Sequence, residues 1–267
     1  MARKPTASSK QTKALIALAI VAIAGILGVS GNSVAPLLQQ LGFVDSAVSP
    51  TNTATSQNGA SSATLADIPA YDDDPHIFIA ADTTHPQGTP TFTDSEIARA
   101  ESGTFESYSP LDSLGRCGTA LACVGEETMP TTKRGDISEI HPTGWRQKFY
   151  DFVDQEALYN RCHLIARSLS AEDANAQNLI TGTRYMNTQG MLPFEEDTVA
   201  YIRRTGNHVL YRATPIFDGN NLVASGVHLE ARSVEDDGAG VCFNVYCYNV
   251  EPGVGIDYAT GENWLAQ

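Results

Sequence analysis

The feature that most restricts the fold is a series of segments rich in Val, Tyr, Phe and Leu in the last third of the chain. They cover residues 209–216, 222–234, 241–250 and 256–258. Turn-forming sequences separate them, among them Asp218-Gly219 and Asp237-Gly238. β-branched and aromatic residues favour strands, and short turns of this kind join strands that run in opposite directions. These segments therefore predict an antiparallel meander.

Two segments before the meander also predict regular secondary structure. The side chains of residues 194–204 that share one face at helical spacing are Phe194, Thr198, Tyr201 and Ile202. Pro193 stands near the first turn of this predicted helix, where its missing N–H is tolerated. Residues 158–165 predict a strand with His163 near its end, followed by a polar segment and a helical or looped stretch that reaches Asn187. The sequence thus predicts an α+β fold, in which helices pack on an antiparallel sheet.

The N-terminus has the organisation of a targeting segment. A basic region ends at Lys13 and is followed by the apolar run 14–29 and by small polar residues. The length of this run lies between the apolar core of a signal peptide and a spanning helix. Residues 1–35 are therefore predicted to be either a cleaved signal peptide or a membrane anchor. We expect a secreted or extracytoplasmic protein, with membrane association through residues 14–29 as the open alternative.

Three regions follow this segment. Residues 36–67 are mostly small and polar and predict a low-complexity linker. Residues 68–108 contain many Thr and Pro residues, the acidic run 72–74 and no long periodic segment, which predicts an irregular extension. Residues 109–267 remain as the main folded domain.

The net charge of −14 restricts what the protein can bind. Four basic residues, Arg3, Lys4, Lys10 and Lys13, lie in the N-terminal segment, so the folded body is distinctly acidic. Nonspecific nucleic-acid binding draws most of its free energy from Lys and Arg contacts with phosphate, and this composition argues against it. A metal ion and a small basic cluster would still attract phosphate, because salt screens charges beyond roughly 8 Å.

The chain has five cysteines, which are Cys117, Cys123, Cys162, Cys242 and Cys247. In an exported protein they would permit disulfides. If Cys242 and Cys247 share one extended strand, they are separated by roughly 16 Å and cannot pair with each other. A zinc site made of Cys162, His163, Cys242 and Cys247 is an alternative, although their spacing matches no Cys-x2-Cys arrangement.

The segment Asn160-Arg161-Cys162-His163 places polar and charged side chains within a predicted strand. This segment taken alone has a structural explanation: Arg161 is exposed, and His163 is a core histidine that is hydrogen-bonded to the backbone.

Three other motifs accompany this segment. They are His141-Pro142-Thr143-Gly144-Trp145, Asn178-Leu179-Ile180 and Arg184-Tyr185-Met186-Asn187. Together the four resemble the DNA/RNA non-specific endonucleases of the ββα-metal, or His-Me finger, superfamily, in the branch of secreted DNases and DNA-entry nucleases. The resemblance runs from about residue 109 to 261 and includes Arg116 and Lys133-Arg134. The wider family carries Asp-Arg-Gly-His at the first motif, which segment 160–163 matches at its second and fourth places.

The resemblance implies a ββα-metal core and a role for each matching residue. His163 is the general base, Asn187 is the direct metal ligand, and Asn178 is a second amide that supports the site. Arg161 belongs to the catalytic set. The amide oxygen of an Asn is a hard ligand that suits Mg²⁺, which keeps most of its waters and needs few protein ligands.

Acidic and basic residues complete the predicted site. Glu195 or Glu196 would add an outer-sphere carboxylate to the metal site, and the alternative is that both stabilise the first turn of a helix. Candidate phosphate contacts are Lys133, Arg134, Arg161 and Arg184. The alternative for each is ordinary surface charge. We expect Trp145 to pack rather than to stack on a base.

The function that the resemblance implies is hydrolysis of phosphodiesters in DNA, which leaves a 5′ phosphate, with RNA as an open second substrate. The expected cofactor is Mg²⁺, with Mn²⁺ as a substitute. No base-reading module is evident in the sequence, and contacts to phosphate carry no sequence information, so we expect no sequence preference. Two alternatives stay open: a catalytically inactive extracytoplasmic module of the same fold that binds nucleic acid or another partner, and a cell-surface structural domain on a linker.

Overall fold

The computed structural model describes residues 68–266. The predicted targeting segment 1–35 and the linker 36–67 lie outside the described residues. Across residues 68–266, no helix combines the length and the apolar character that crossing a membrane requires. This part of the chain has the predicted α+β class, with antiparallel sheets and few helices.

A six-stranded antiparallel sheet forms the centre of the fold. Its strands in spatial order are β1 (His76–Phe78), β8 (Cys242–Tyr248), β7 (Gly226–Ser233), β6 (Val209–Ile216), β3 (Ala120–Val124) and β2 (Phe105–Tyr108). β6, β7 and β8 are neighbours both in the chain and in the sheet, which confirms the predicted meander. The segment 256–258 does not extend it, because β9 (Val254–Ile256) pairs with β10 (Asn263–Leu265) in a separate hairpin.

The longest helix, α3 (Leu192–Thr205), confirms the helical period of the sequence. Its buried residues are the predicted ones: Phe194, Thr198, Tyr201 and Ile202. Three of them pack in the main core with sheet residues such as Leu229 and Val245. The helix ends at Gly206, whose φ of 71° is a left-handed conformation that glycine adopts at little cost.

A second hairpin, β4 (Tyr159–His163) and β5 (Leu179–Thr183), is joined to the main sheet by one buried amide. Asn249 accepts a hydrogen bond from the Thr183 N–H at 2.8 Å and donates to the carbonyl oxygens of Thr181 and Ala224 at 3.1 and 2.9 Å. β4 lies within the predicted strand 158–165. β5 stands where the sequence predicted a helix or a loop. All five of its residues are buried, so it shows no alternation of polar and apolar side chains by which a strand is recognised.

The expectation of an irregular extension over residues 68–108 is wrong. β1 and β2 are the two edge strands of the main sheet, and α1 (Asp94–Glu101) lies between them in the chain. Each strand has only three or four residues, too few for a period of two to be detected. α1 begins with a capping box in which Thr93 and Glu96 each accept a hydrogen bond from the other's N–H.

A buried ion pair attaches residues 91–96 to the main sheet. Arg212 Nε donates to Glu230 Oε2 at 2.7 Å, and Arg212 Nη1 donates to Glu96 Oε1 at 2.9 Å. Glu230 Oε1 also accepts from the Thr91 N–H at 2.7 Å. Side chains of β6, β7 and α1 therefore neutralise one another in a place that excludes water, where unpaired charges would be strongly destabilising.

All five cysteines are free thiols, and four of them are buried. Cys242 and Cys247 both lie on β8, which keeps them apart. Within residues 68–266 no three or more His, Cys, Asp or Glu side chains gather into a group that could hold a metal ion. The zinc-site alternative is therefore wrong.

Candidate active site

Four elements border one cavity of about 660 Å³. These are β4, the short helix α2 (Arg167–Ser170), a π-helical segment (Met186–Met191) and α3, which the π-helix enters without a break. The polar side chains that line the cavity are Arg134, Trp145, Gln147, Tyr159, Asn160, Arg161, His163, Arg167, Ser168, Arg184, Asn187 and Glu195. Six of the eight predicted site residues are in this set. Asn178 and Lys133 are the two that do not border the cavity.

His163 is the last residue of β4 and is 8% exposed. Its Nε2 lies 3.1 Å from the carbonyl oxygen of Asp173. A carbonyl oxygen only accepts hydrogen bonds, so Nε2 carries the proton and Nδ1 carries the lone pair. Burial lowers the pKa of His163, the hydrogen bond to Asp173 opposes this shift, and the charge of Arg134 adds to it. The ring is therefore neutral at pH 7, with a basic nitrogen. His163 is thus buried and bonded to the backbone, as a structural histidine would be, but it also borders the cavity, which a purely structural role does not explain.

Asn178 is fully buried behind the site rather than in it. Its Oδ1 accepts from the Ile165 N–H at 2.8 Å, and its Nδ2 donates to the Ile165 carbonyl oxygen at 3.0 Å. Both polar ends of the amide are thus occupied by one residue, two positions after His163. Asn178 does not border the cavity, so its predicted role as a second amide that supports the site could act only through the backbone that carries the histidine.

Asn187 and Glu195 bring two oxygen donors to the cavity. Asn187 lies in the π-helix, and its Oδ1 accepts a hydrogen bond from the Cys162 thiol at an S···O distance of 3.0 Å. Burial, together with the neighbouring carboxylate of Glu196, raises the pKa of Glu195 to about 8. Because the π-helix runs directly into α3, Glu195 faces no free helix start, and the capping alternative loses its basis.

Hard oxygen donors of this kind fit a magnesium ion. An amide oxygen and a carboxylate that face one cavity are what Mg²⁺ takes from a protein when most of its shell is water. The raised pKa of Glu195 describes a carboxyl group that lacks a nearby positive charge, and a divalent cation would supply that charge. The donor set at Asn187 and Glu195 therefore suits such an ion, although few side chains contribute to it.

The cavity collects positive charge on an otherwise acidic protein. Four arginines line it, whereas Glu195 is the only acidic residue that does so. Arg167 pairs with Asp173 at 2.5 Å. Arg134 makes no ion pair or hydrogen bond with any residue of the described part of the chain, and it is exposed at the cavity. The next residue back, Lys133, is exposed but does not border the cavity, which corrects its place in the predicted site.

Arg161 and Arg184 border the cavity but are already engaged with the protein. Arg161 Nε donates to the Ile140 carbonyl oxygen at 2.5 Å, and its Nη2 donates to that of Ser138 at 2.6 Å. The guanidinium group also stacks 4.5 Å from the centre of the Trp145 ring. Arg184 donates from Nε and Nη2 to Asp154 at 2.9 and 2.6 Å. Both arginines thus hold the walls of the cavity while adding charge to it.

Asn160 is a cavity residue that the sequence did not predict to be functional. Its Nδ2 is buried and has no hydrogen-bond partner among the described residues. Buried polar groups are nearly always partnered, so a free amide in a cavity indicates a place for a ligand atom. The one signal in the sequence was its position at the start of the altered first motif, where it stands in place of an acid.

The remaining motifs hold the hairpin in place. Gly144 and Gly261 approach so closely that a Cβ on Gly261 would lie 1.7 Å from the Gly144 carbonyl oxygen. Thr181 donates to the Thr143 carbonyl oxygen at 2.8 Å, and the Tyr159 hydroxyl donates to that of Gly261 at 3.0 Å. The motif around Trp145 and the chain at Gly261 therefore meet at β4 and β5, the hairpin that carries His163.

The comparisons with known proteins agree with this geometry. A family model described as DNA/RNA non-specific endonuclease matches residues 95–235, which contain His163, Asn187 and Glu195. The chain belongs to this family. The match begins in α1, so the family domain includes part of the segment that was expected to be irregular.

Solved structures of nucleases are similar to the chain. NucA from Streptococcus agalactiae with magnesium bound is 27% identical, with a TM-score of 0.55 over 61% of this chain and 79% of that one. The metal-free NucA structure is 26% identical with the same score and coverage. The Sda1 nuclease with a bound zinc ion is 27% identical, with a TM-score of 0.51 over 61% of this chain and 80% of that one. No curated protein matches the chain. The protein is therefore a nuclease of the ββα-metal type.

Proposed function

We propose that the protein is an exported endonuclease that hydrolyses DNA without sequence preference, with one magnesium ion and His163 as general base. The observation that carries the proposal is the convergence of three groups on one arginine-lined cavity. These groups are the imidazole of His163, the amide of Asn187 and the carboxyl group of Glu195.

The basic nitrogen of His163 is Nδ1. In the proposed reaction it accepts a proton from a water molecule, whose oxygen forms a bond to phosphorus while the bond to the leaving 3′ oxygen breaks. The leaving oxygen takes a proton from solvent. Because burial lowers the pKa of His163, the imidazole is available as a base at neutral pH. Asn178 keeps the ring in place through Ile165.

We propose that Asn187 and Glu195 hold the cation. When bound, the ion offsets the negative charge that develops on the phosphate and the leaving oxygen. Asn187 would contribute its Oδ1 directly, and Glu195 would contribute its carboxylate from the outer sphere. The ion in the NucA structure is magnesium and that in the Sda1 structure is zinc, and Mn²⁺ is expected to substitute for Mg²⁺ here.

The phosphate-binding groups proposed here are Arg134 and Asn160, since both reach the cavity and both lack a protein partner within the described residues. Arg161 and Arg184 would contribute mainly positive electrostatic potential and the shape of the cavity walls, because their guanidinium groups are already hydrogen-bonded to the protein. Contacts of this type read phosphate and not base edges, which is why no sequence preference is expected. The substrate proposed is DNA, with RNA as a second substrate to be tested. Export rests on the basic and apolar N-terminal sequence.

A plasmid-degradation assay tests the proposal. The purified protein should nick and then degrade supercoiled DNA in the presence of Mg²⁺ and should stop on addition of a chelator. His163→Ala should lower the rate by about 10²–10⁴-fold. His85→Ala is the matched control, because this histidine does not border the cavity and its loss should leave the rate nearly unchanged. Activity that survives both the chelator and His163→Ala would refute the mechanism.

A binding module without catalysis is the second candidate, and the altered first motif favours it, because Asn160 and Cys162 replace an acid and a glycine. Such a module would bind DNA without degrading it in any divalent metal. The same assay, read alongside a gel-shift measurement, separates the two functions.

A further inference from the structure

Cys162 makes a contact that the proposed mechanism does not yet use. It precedes His163 on β4, and its side chain is completely buried. Its Sγ lies 3.0 Å from Asn187 Oδ1 and 3.5 Å from the sulfur of Met191. An amide oxygen only accepts hydrogen bonds, so the thiol donates to it. The side chain next to the candidate base is thus bonded to the candidate metal ligand.

The neighbouring strand leaves room for this thiol. A Cβ on Gly182 would lie 2.7 Å from the Cys162 Cβ, 3.2 Å from its Sγ and 2.7 Å from the terminal carbon of Met186. Carbon atoms essentially never approach as closely as 2.7 Å, so a side chain at position 182 would force Cys162 or Met186 to shift. The space beside the thiol is thus provided by the glycine of β5.

We propose that Cys162 is a positioning residue for the metal ligand. Its thiol holds the Oδ1 end of the Asn187 amide, leaving the second lone pair of that oxygen for the cation. Without such a donor, the amide of the asparagine can rotate and point its NH₂ group towards the cation. The NH₂ hydrogens carry partial positive charge, so this orientation would weaken cation binding. This inference rests on the proposed function, because it takes Asn187 as the ligand.

The expected effect is on cation affinity. Removing one neutral hydrogen bond that orients a ligand should weaken Mn²⁺ binding by about 3- to 10-fold in Cys162→Ala. Cys162→Ser keeps a donor at this position and should stay within about twofold of the wild type. Cys162→Gly, which restores the residue of the wider family, is a second variant without a donor and should behave like Cys162→Ala.

The matched control is Cys123→Ala. Cys123 is equally buried but belongs to a separate core cluster, where its thiol donates to the Ala100 carbonyl oxygen. Its replacement creates a similar void and should leave Mn²⁺ affinity unchanged. Melting temperatures of all variants would show that a loss of affinity does not reflect unfolding.

The measurement is Mn²⁺ binding to the full protein without DNA, followed by the EPR signal of the free ion. Weaker binding in Cys162→Ala and Cys162→Gly, with recovery in Cys162→Ser, would support the inference. Wild-type affinity in both donor-free variants would overturn it, as would a serine variant that binds as weakly as alanine. Asn187→Ala separates the two levels of the argument. If Asn187→Ala binds Mn²⁺ like the wild type, the ligand assignment and this inference both fail. If Asn187→Ala loses Mn²⁺ binding while the Cys162 variants keep it, only the role of Cys162 fails.

Discussion

Replacement of Asn178 by alanine would test how the structure supports its base. The wild-type amide satisfies both the N–H and the carbonyl group of Ile165, at 2.8 and 3.0 Å, and both residues are fully buried. Alanine leaves these two backbone groups without partners in a place that water does not reach. Since Ile165 follows His163 by two residues, the loss should reach the ring as well as the fold.

The size of the effect follows from those two groups. Each buried backbone group that loses its partner costs about 1–3 kcal/mol, so we expect a loss of roughly 2–6 kcal/mol in the free energy of unfolding. For a domain of this length, at about 2–4 °C per kcal/mol, that corresponds to a fall in melting temperature of roughly 4–24 °C. Asn178→Asp keeps the acceptor but loses the donor and buries a charge, so it should be no better tolerated.

The assay combines urea unfolding with steady-state cleavage of DNA at a temperature where the variant is folded. We expect lower stability together with a lower kcat and a nearly unchanged KM, because the residue positions the base and does not contact substrate. A variant that is as stable as the wild type but inactive would refute this reasoning. It would show that the amide acts in the site itself.

Other predictions concern charge at the cavity and in the core. Because burial lowers the pKa of His163, the acid limb of the pH–rate profile should lie below the ordinary pKa of ~6.5. The same shift predicts that the wild type loses stability as the pH falls below ~6.5, because the unfolded chain then binds a proton that the folded protein does not. His163→Gln should not show this loss. Arg134→Ala should weaken DNA binding and reduce its logarithmic salt slope by about 1, whereas Lys133→Ala should leave the slope unchanged; fluorescence anisotropy across salt concentrations checks both. Glu230→Gln should lower the free energy of unfolding by about 1.5–3 kcal/mol in urea, because Arg212 loses the charge of its fully buried partner and keeps only Glu96. A pH–rate limb above 6.5, equal salt slopes for the two variants or an unchanged unfolding free energy would contradict these predictions in turn.

The elements predicted correctly from the sequence are those with a long and distinct signal. α3 matches the predicted segment 194–204 because it shows one buried face over several turns, and β6 matches 209–216 because its residues are rich in β-branched, aromatic and aliphatic side chains and end at a turn. β1 and β2 are too short for that signal. β5 is buried on both faces, so its Thr and Gly residues gave no indication of a strand.

Prediction of the site had a different limit. Several cavity residues, such as His163, Asn187 and Glu195, could be proposed as site residues from their side-chain chemistry and their positions in the motifs. Asn178 and Cys162 could not be placed from the sequence, because their roles depend on which backbone or amide lies opposite them after folding. The same is true of Lys133 and Arg134, which are adjacent in the chain but differ in their access to the cavity.

The acidic composition of the protein is compatible with a nuclease because charge is distributed unevenly. Arginines gather at the cavity, while much of the acidic surplus lies elsewhere, including the run Asp72 to Asp74 and residues 235–237. At physiological salt, charges more than roughly 8 Å away are largely screened. A phosphate at the cavity therefore meets a local field that the net charge of −14 does not describe. We expect few phosphates to be neutralised and the salt dependence of binding to be shallow.

The central claim is that His163 and Asn187 face one hydrated cation. Anomalous diffraction from crystals soaked in Mn²⁺ tests it most directly. The account predicts a single strong peak in the cavity at a coordination distance of roughly 2.1 Å from Asn187 Oδ1, on the side that His163 borders. A peak bound elsewhere on the protein, or a cavity without any peak at a concentration of Mn²⁺ that supports cleavage, would contradict it.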